Sequence, residues 1–164
     1  MKTLIMYCSN HGFVEKCAGL LNEKMEEKGT LLNLKSKNKV NLDAFDTVII
    51  GGSIHAGKMQ KQLKQFLTDN ESLLLNKQIG LFICCSDQEK ALNYLDTEIP
   101  QNIVNKAFIK VHLGHAYYME KLNFMFKAIL KKVGNIEKSE ENIRHDQMDI
   151  LLKEMDKIEG DLGV

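Results

Sequence analysis

The feature that most constrains this chain is a succession of short apolar runs, each followed by residues at helical spacing. "KTLIMYC" opens the series, "TLLNLKS" is a weaker second run, and "DTVIIGGS", "QIGLFICC" and "AFIKVHLG" follow. In the third run Val48, Ile49 and Ile50 are contiguous, as expected of a strand covered on both faces. After the first run, Val14, Cys17, Ala18, Leu21 and Met25 recur with helical period, and Gly29 ends the pattern. Met59, Leu63, Phe66 and Leu67 predict a second helix, with Lys58 in its first turn. A third helix is expected within residues 88–105, with the single proline, Pro100, near its end or in a break. Residues 119–133 and 140–158 read as two further helices. Strands alternating with helices imply a parallel sheet with helices on both faces, a three-layer α/β sandwich built with right-handed crossovers.

The chain has 164 residues, enough for one domain with a substantial core, so residues 1–164 are read as a single domain. Lys and Arg number 22 and Asp and Glu 22, which removes the electrostatic argument for a nucleic-acid partner. The opening apolar run is too brief for a signal peptide, and no run approaches the ~18 apolar residues of a spanning helix. The expected location is the cytoplasm. Four cysteines, Cys8, Cys17, Cys84 and Cys85, form neither a C-x-x-C pair nor a zinc-ligand spacing, and free thiols are the expectation.

In open parallel sheets the ligand lies beyond the carboxyl ends of the strands, where strand order reverses. Three segments therefore become candidate binding residues together. Ser9, Asn10, His11, Gly12, Phe13 and Val14 follow the first strand. Ser53, Ile54, His55, Ala56 and Gly57 follow the third. Cys84, Cys85, Ser86 and Asp87 follow the fourth. The first of these leads into a helix whose opening N–H groups lack internal partners and suit a phosphate. Capping by Ser9 or Asn10 is the alternative use of the same residues.

"GGSIHAGKMQ" nearly spells a nucleoside-triphosphate loop, since Gly52, Gly57 and Lys58 satisfy G-x-x-x-x-G-K. Met59 stands where a magnesium-binding hydroxyl is required, the loop follows the third strand, and no apolar strand ends in an acidic residue. The triphosphate reading fails on those missing parts.

The chain resembles flavodoxin-fold proteins of the group that includes the menaquinone-dependent protoporphyrinogen dehydrogenases. The matching features are "MKTLI" before a Ser-x-x-Gly turn, "DTVIIGGSIHAGKMQKQLKQF", "GLFICC" and "LGHAYYMEKLNFMFKAILKKVG". They occur in family order and span nearly the whole chain. The resemblance implies a five-stranded parallel sheet of order 2-1-3-4-5, with an extra helical segment after the fifth strand. It implies non-covalent FMN, with its phosphate at residues 9–14 and its ring between residues 53–57 and 84–87. It also implies redox work, as an electron carrier or an oxidoreductase, with a quinone, a porphyrinogen or a redox protein as donor or acceptor. His55 is the expected neighbour of the ring and of a substrate.

Two departures support a second class, a binding or regulatory module with weak or no flavin binding. Val14 stands where the family often has Thr, and a lost charge-assisted bond is worth roughly 1.5–3 kcal/mol. Ala56 stands where many relatives place an aromatic residue. Tyr94, the other flat side chain nearby, is expected to pack within its helix. Cys84 and Cys85 are expected to face one crevice, as small apolar strand residues or as a disulfide coupled to the flavin. In the late segment, Met119, Leu122, Met125, Phe126, Ile129, Leu130 and Val133 share one helical face among Lys121, Lys127, Lys131 and Lys132. Packing of that face against the sheet is the expectation, and peripheral membrane contact through residues 119–133 is the alternative.

Overall fold

The computed structural model describes residues 1–36, 39–161 and 163. In chain order its elements are β1 (Thr3–Tyr7), α1 (Phe13–Lys24), β2 (Thr30–Asn33), β3 (Thr47–His55), β4 (Lys58–Met59), α2 (Lys61–Asp69), α3 (Glu71–Leu74) and β5 (Gln78–Cys84). There follow α4 (Ala91–Glu98), α5 (Gln101–Lys106), β6 (Ile109–His112), β7 (Gly114–Tyr117), α6 (Phe124–Gly134), β8 (Glu140–Ile143) and α7 (His145–Asp161).

The main sheet runs β2-β1-β3-β5-β6, all parallel, which is the expected order 2-1-3-4-5 once the short β4 is set aside. Strand alternation sends one side-chain set to each layer. Leu4, Met6, Val48, Ile50, Ile79, Leu81 and Ile83 meet Leu63, Leu67, Leu74, Leu95 and Ile103 of α2 to α5. Ile5, Tyr7, Ile49, Phe82 and Val111 meet Val14, Cys17, Leu21, Met148 and Leu151 of α1 and α7. Gly51 is part of this packing. A Cβ there would lie 1.8 Å from Phe82 Cζ, so the bare backbone makes room for the ring on the next strand.

Two local expectations are corrected, and a third, the break at Pro100, is met. Met59 and Lys58 are not helical; they form β4, which returns antiparallel along β3, and α2 starts only at Lys61. The helix within residues 88–105 is two helices, separated at Pro100, which precedes Gln101 and supplies no N–H. The extra segment after the fifth strand is not purely helical. It contains β7 and β8, paired antiparallel from Gly114↔Ile143 to Tyr117↔Glu140, with α6 between them.

Candidate functional site

The carboxyl ends of β1, β3 and β5 open into a cavity of about 200 Å³. Ser9, Asn10, His11, Phe13, Val14, Ser53, Ile54, His55, Ala56, Cys84, Cys85 and Ser86 line it, so most of the three expected segments converge. Gly12, Gly57 and Asp87 do not line it. Gly12 and Gly57 shape the turns beside it, and Asp87 faces away.

At the first segment, Gly12 precedes α1 with φ +96°, a conformation disfavoured for other residues. Ser9 Oγ accepts the Gly12 N–H at 3.0 Å and closes the turn. Among the described residues no side chain caps α1, so its opening N–H groups keep their positive end free of a side-chain partner there. Two lysines from remote segments flank this end. Lys35 Nζ donates to Asn10 Oδ1 at 2.6 Å, and Lys121 Nζ donates to the His11 carbonyl at 2.9 Å. Burial, then these two ammonium groups, push the His11 pKa below the ordinary imidazole value.

At the second segment, β3 turns back into β4 through Ala56 and Gly57, at φ +49° and +76°. Two residues with positive φ between His55 and Lys58 make a type I′ hairpin, whose twist suits antiparallel strands. Ala56 occupies the left-handed region without the freedom of glycine, at a cost of roughly 1–2 kcal/mol. The hairpin holds His55 against the cavity, with its ring edge-to-face on His11 at 5.5 Å between centroids. His55 Nε2 lies 2.9 Å from Ser53 Oγ. Burial first, then His11 and Lys35, lower the His55 pKa and keep the ring neutral. Lys58 points out from β4 and is exposed.

At the third segment, Asp87 Oδ1 accepts the Lys90 N–H at 3.1 Å, turning its carboxylate toward the start of α4. The Cys85 N–H donates to the Gly114 carbonyl, and buried His112 donates through Nε2 to the Cys85 carbonyl at 2.7 Å. Cys84 and Cys85 are free thiols, and they belong to opposite core layers as neighbours in a strand must. Burial and the Asp87 carboxylate push the Cys85 thiol up to about 11, and burial with the neighbouring Cys17 side chain raises Cys84 well above the usual thiol range. Both are therefore held protonated and are poor nucleophiles. Tyr94 packs against the core and does not line the cavity.

The remaining wall comes from residues that local reasoning missed as site residues. His115, Ala116 and Tyr117 of β7, with Leu122 and with Phe126 and Leu130 of α6, complete the lining. The apolar period of residues 119–133 was the available signal, but its expected burial in the core is contradicted. α6 contributes no buried residue, and Phe124, Met125 and Val133 are 85%, 71% and 82% exposed. The helix presents an inner edge to the cavity and an outer apolar face to solvent.

Among the described residues, no lining residue is a carboxylate, a lysine or an arginine. The slot offers hydroxyls, an amide and three imidazoles set among apolar and aromatic groups. Among the described residues, Lys35 and Lys121 gather at one end, on the loop that leads into α1. Such an arrangement accepts a flat, largely uncharged body joined to an anion.

Among solved structures, the chain is similar to rubredoxin:oxygen oxidoreductase from Desulfovibrio gigas at 16% identity and TM-score 0.54, covering 94% of this chain and 37% of that one. It is similar to oxidised flavodoxin 2 from Bacillus cereus at 20% identity and TM-score 0.54, covering 70% and 84%. The flavodiiron core of Flv1 from Synechocystis aligns over 70% of this chain and 31% of its own, at 15% identity and TM-score 0.49. The chain thus spans about a third of the length of these two larger proteins, the Flv1 core and rubredoxin:oxygen oxidoreductase. No curated protein matches the sequence. The flavodoxin domain family model matches residues 4–144, which takes in all three loop segments and the β7–α6–β8 insertion. The chain belongs to the flavodoxin domain family.

Proposed function

We propose that this protein binds FMN non-covalently in the cavity and works in electron transfer, as a carrier or an oxidoreductase. The single observation that carries the reading is the asymmetry of the site. An uncapped helix start flanked by Lys35 and Lys121 stands at one end, and a slot lined without carboxylates extends from it.

Ser9, Asn10, His11, Gly12, Phe13 and Val14 would hold the phosphate. The first-turn N–H groups of α1 supply directed donors. Lys35 and Lys121 each keep further ammonium hydrogens beyond the bond they already make. This charge offsets the missing hydroxyl at Val14. Ser53, Ile54, His55, Ala56 and Gly57 would flank the ring on one side, and Cys84, Cys85, Ser86 and Asp87 would support its edge through backbone groups. Phe126, Leu130 and Tyr117 would exclude water from the opposite wall. The flavin, when bound, supplies the redox chemistry, and the chain sets its potential through hydrogen bonds, charge and burial. His55 is the group placed to meet a substrate, and its neutral ring is a hydrogen-bond donor rather than a charge.

Titration of purified protein with FMN tests the reading. Quenching of flavin fluorescence with a one-to-one endpoint is expected. Absence of binding at micromolar FMN would overturn it in favour of a flavodoxin-fold binding or regulatory module. Within the redox reading, anaerobic mixing with protoporphyrinogen separates the porphyrinogen dehydrogenase from the carrier, since only the former reduces the bound flavin.

The outer face of α6 favours a second, compatible reading, peripheral contact with an anionic bilayer on the cytoplasmic side. Phe124, Met125, Ile129 and Val133 are exposed, and the helix carries Lys127, Lys131 and Lys132 with no acidic residue. Exposed apolar groups with interspersed lysines match the acyl boundary and anionic headgroups of a lipid surface. No described helix is long and apolar enough to cross a membrane. Sedimentation with phosphatidylglycerol vesicles is expected, and equal binding to phosphatidylcholine vesicles, or none to either, would remove this reading.

A further inference from the structure

A buried amide joins the ends of β1 and β3 beside the cavity. Gln60 lies just before α2, and its side chain reaches back under the hairpin. Its Oε1 accepts the Ser53 backbone N–H at 3.0 Å, and its Nε2 donates to the Cys8 carbonyl at 3.0 Å. These two bonds allow one orientation of the amide, because an N–H needs an acceptor and a carbonyl needs a donor. The other hydrogen on Nε2 is then directed at Ser53 Oγ, 2.5 Å away.

The Ser53 hydroxyl accepts from Gln60 and retains its own hydrogen to give. Among the described residues, His55 Nε2 at 2.9 Å is the acceptor left for it. A neutral imidazole that accepts at Nε2 carries its hydrogen at Nδ1. The His55 ring lines the cavity, and among the described residues no protein acceptor is bonded to that Nδ1.

We propose that the buried Gln60–Ser53 pair locks His55 in the Nδ1–H tautomer and makes it a standing donor to an acceptor atom of the bound ligand. Gln60 and Ser53 are positioning residues for this donor. On the FMN reading, on which this part rests, the acceptor is an edge atom of the oxidised ring. The relay explains why a polar side chain is buried at Gln60: it satisfies three backbone and hydroxyl groups at once, and its orientation propagates to the imidazole. Burial first, then His11 and Lys35, lower the His55 pKa, so the donor persists at neutral pH.

The test begins with flavin-free protein. Long-range ¹H–¹⁵N correlation spectra at pH 7.5 are expected to show His55 as the Nδ1–H tautomer in the natural sequence. Ser53→Ala and Gln60→Leu should shift it toward Nε2–H, and Ser53→Thr should restore the original pattern. An Nε2–H ring in the natural sequence, or an Nδ1–H ring that persists in Ser53→Ala, would overturn the relay. Ser53→Ala removes only a hydroxyl, so the test survives if Gln60→Leu fails to fold. FMN titration then reads the donor: Ser53→Ala should bind about fivefold more weakly and Ser53→Thr nearly normally. Unchanged FMN affinity in a Ser53→Ala protein of altered tautomer would reject the donor role. Failure of the natural protein to bind FMN would instead reject the cofactor, leaving the tautomer result standing by itself.

Discussion

The cavity has two walls made in different ways. The wall of loops after β1, β3 and β5 sits on strands buried on both faces, and its polar groups bond one another through Gln60, Ser53 and His55. The wall of β7, α6 and β8 contains a helix with no buried residue. It is attached to the body through Ala116, Tyr118 and Ile143, which pack against the core, and through polar contacts. Lys16 of α1 meets Glu141 of β8 at 2.6 Å, Tyr118 donates to the same carboxylate at 2.6 Å, and Lys121 reaches the His11 carbonyl. The Lys16 and Tyr118 bonds lower the Glu141 pKa, and burial followed by Glu141 raises that of Tyr118. The first wall is thus carried by fully buried strands, and the second by partly buried side chains with one exposed ion pair.

The sharpest break of this comparison is a substitution beneath the first wall. Gly51→Ala drives a methyl into the Phe82 ring and should cost about 3 kcal/mol in urea denaturation. Val133→Asp on the outer wall should change the same measurement by no more than about 0.5 kcal/mol. Equal effects would erase the distinction.

The outer wall should reveal itself in lipid instead. Phe124→Asp with Val133→Asp should weaken phosphatidylglycerol-vesicle binding by about tenfold or more, since both remove apolar surface and add negative charge. Unaltered vesicle binding would assign the exposed face to something else.

Gly12→Leu should weaken FMN by about tenfold, because a branched side chain is strained at φ +96° and crowds Lys121. Lys58→Ala should alter the affinity by less than about twofold, as Lys58 lies exposed on the hairpin. The reverse ranking would move the phosphate away from α1.

Acid should weaken the first wall. His11, His55 and His112 all have lowered pKa values, each chiefly through burial. As pH falls below about 6.5, the unfolded chain takes up protons before the folded one does. The stability contributed by the neutral rings is therefore complete above about 6.5 and lost as pH falls through the folded values. Urea midpoints at pH 7.5 and 5.5 check this, and a midpoint that rises on acidification would contradict it.

The smallest effect belongs to the attachment. Lys16→Ala removes a partly exposed ion pair and should cost about 0.5 kcal/mol or less, with the difference shrinking in high salt. A much larger loss would mean that the second wall is structurally coupled to the first.

The five strands were legible because "LIMY", "VII" and "GLFIC" are contiguous apolar runs that only a doubly covered sheet explains. The convergence of Ser9, Ser53 and Cys84 followed from that sheet, since the strands' carboxyl ends share one edge. The β4 return at Lys58 was illegible, because Ala56 gives no hint of a left-handed turn and Met59 fits a helical period equally well. The pairing of β7 with β8 was illegible for another reason. Tyr117 and Glu140 are 23 residues apart, and no local preference records a contact across that span. The period of residues 119–133 pointed to an amphipathic helix, which starts only at Phe124, but not to the direction in which its apolar face points.

The sequence by itself determined the α/β order, the parallel sheet and the three loops at its carboxyl edge, because hydrophobic period and chain direction act locally and sum to one topology. Tertiary structure alone decided the orientation of Gln60, the neutrality of His55 and the outward face of α6. Each of those depends on which distant groups become neighbours, and burial, hydrogen bonding and charge take their values from that neighbourhood.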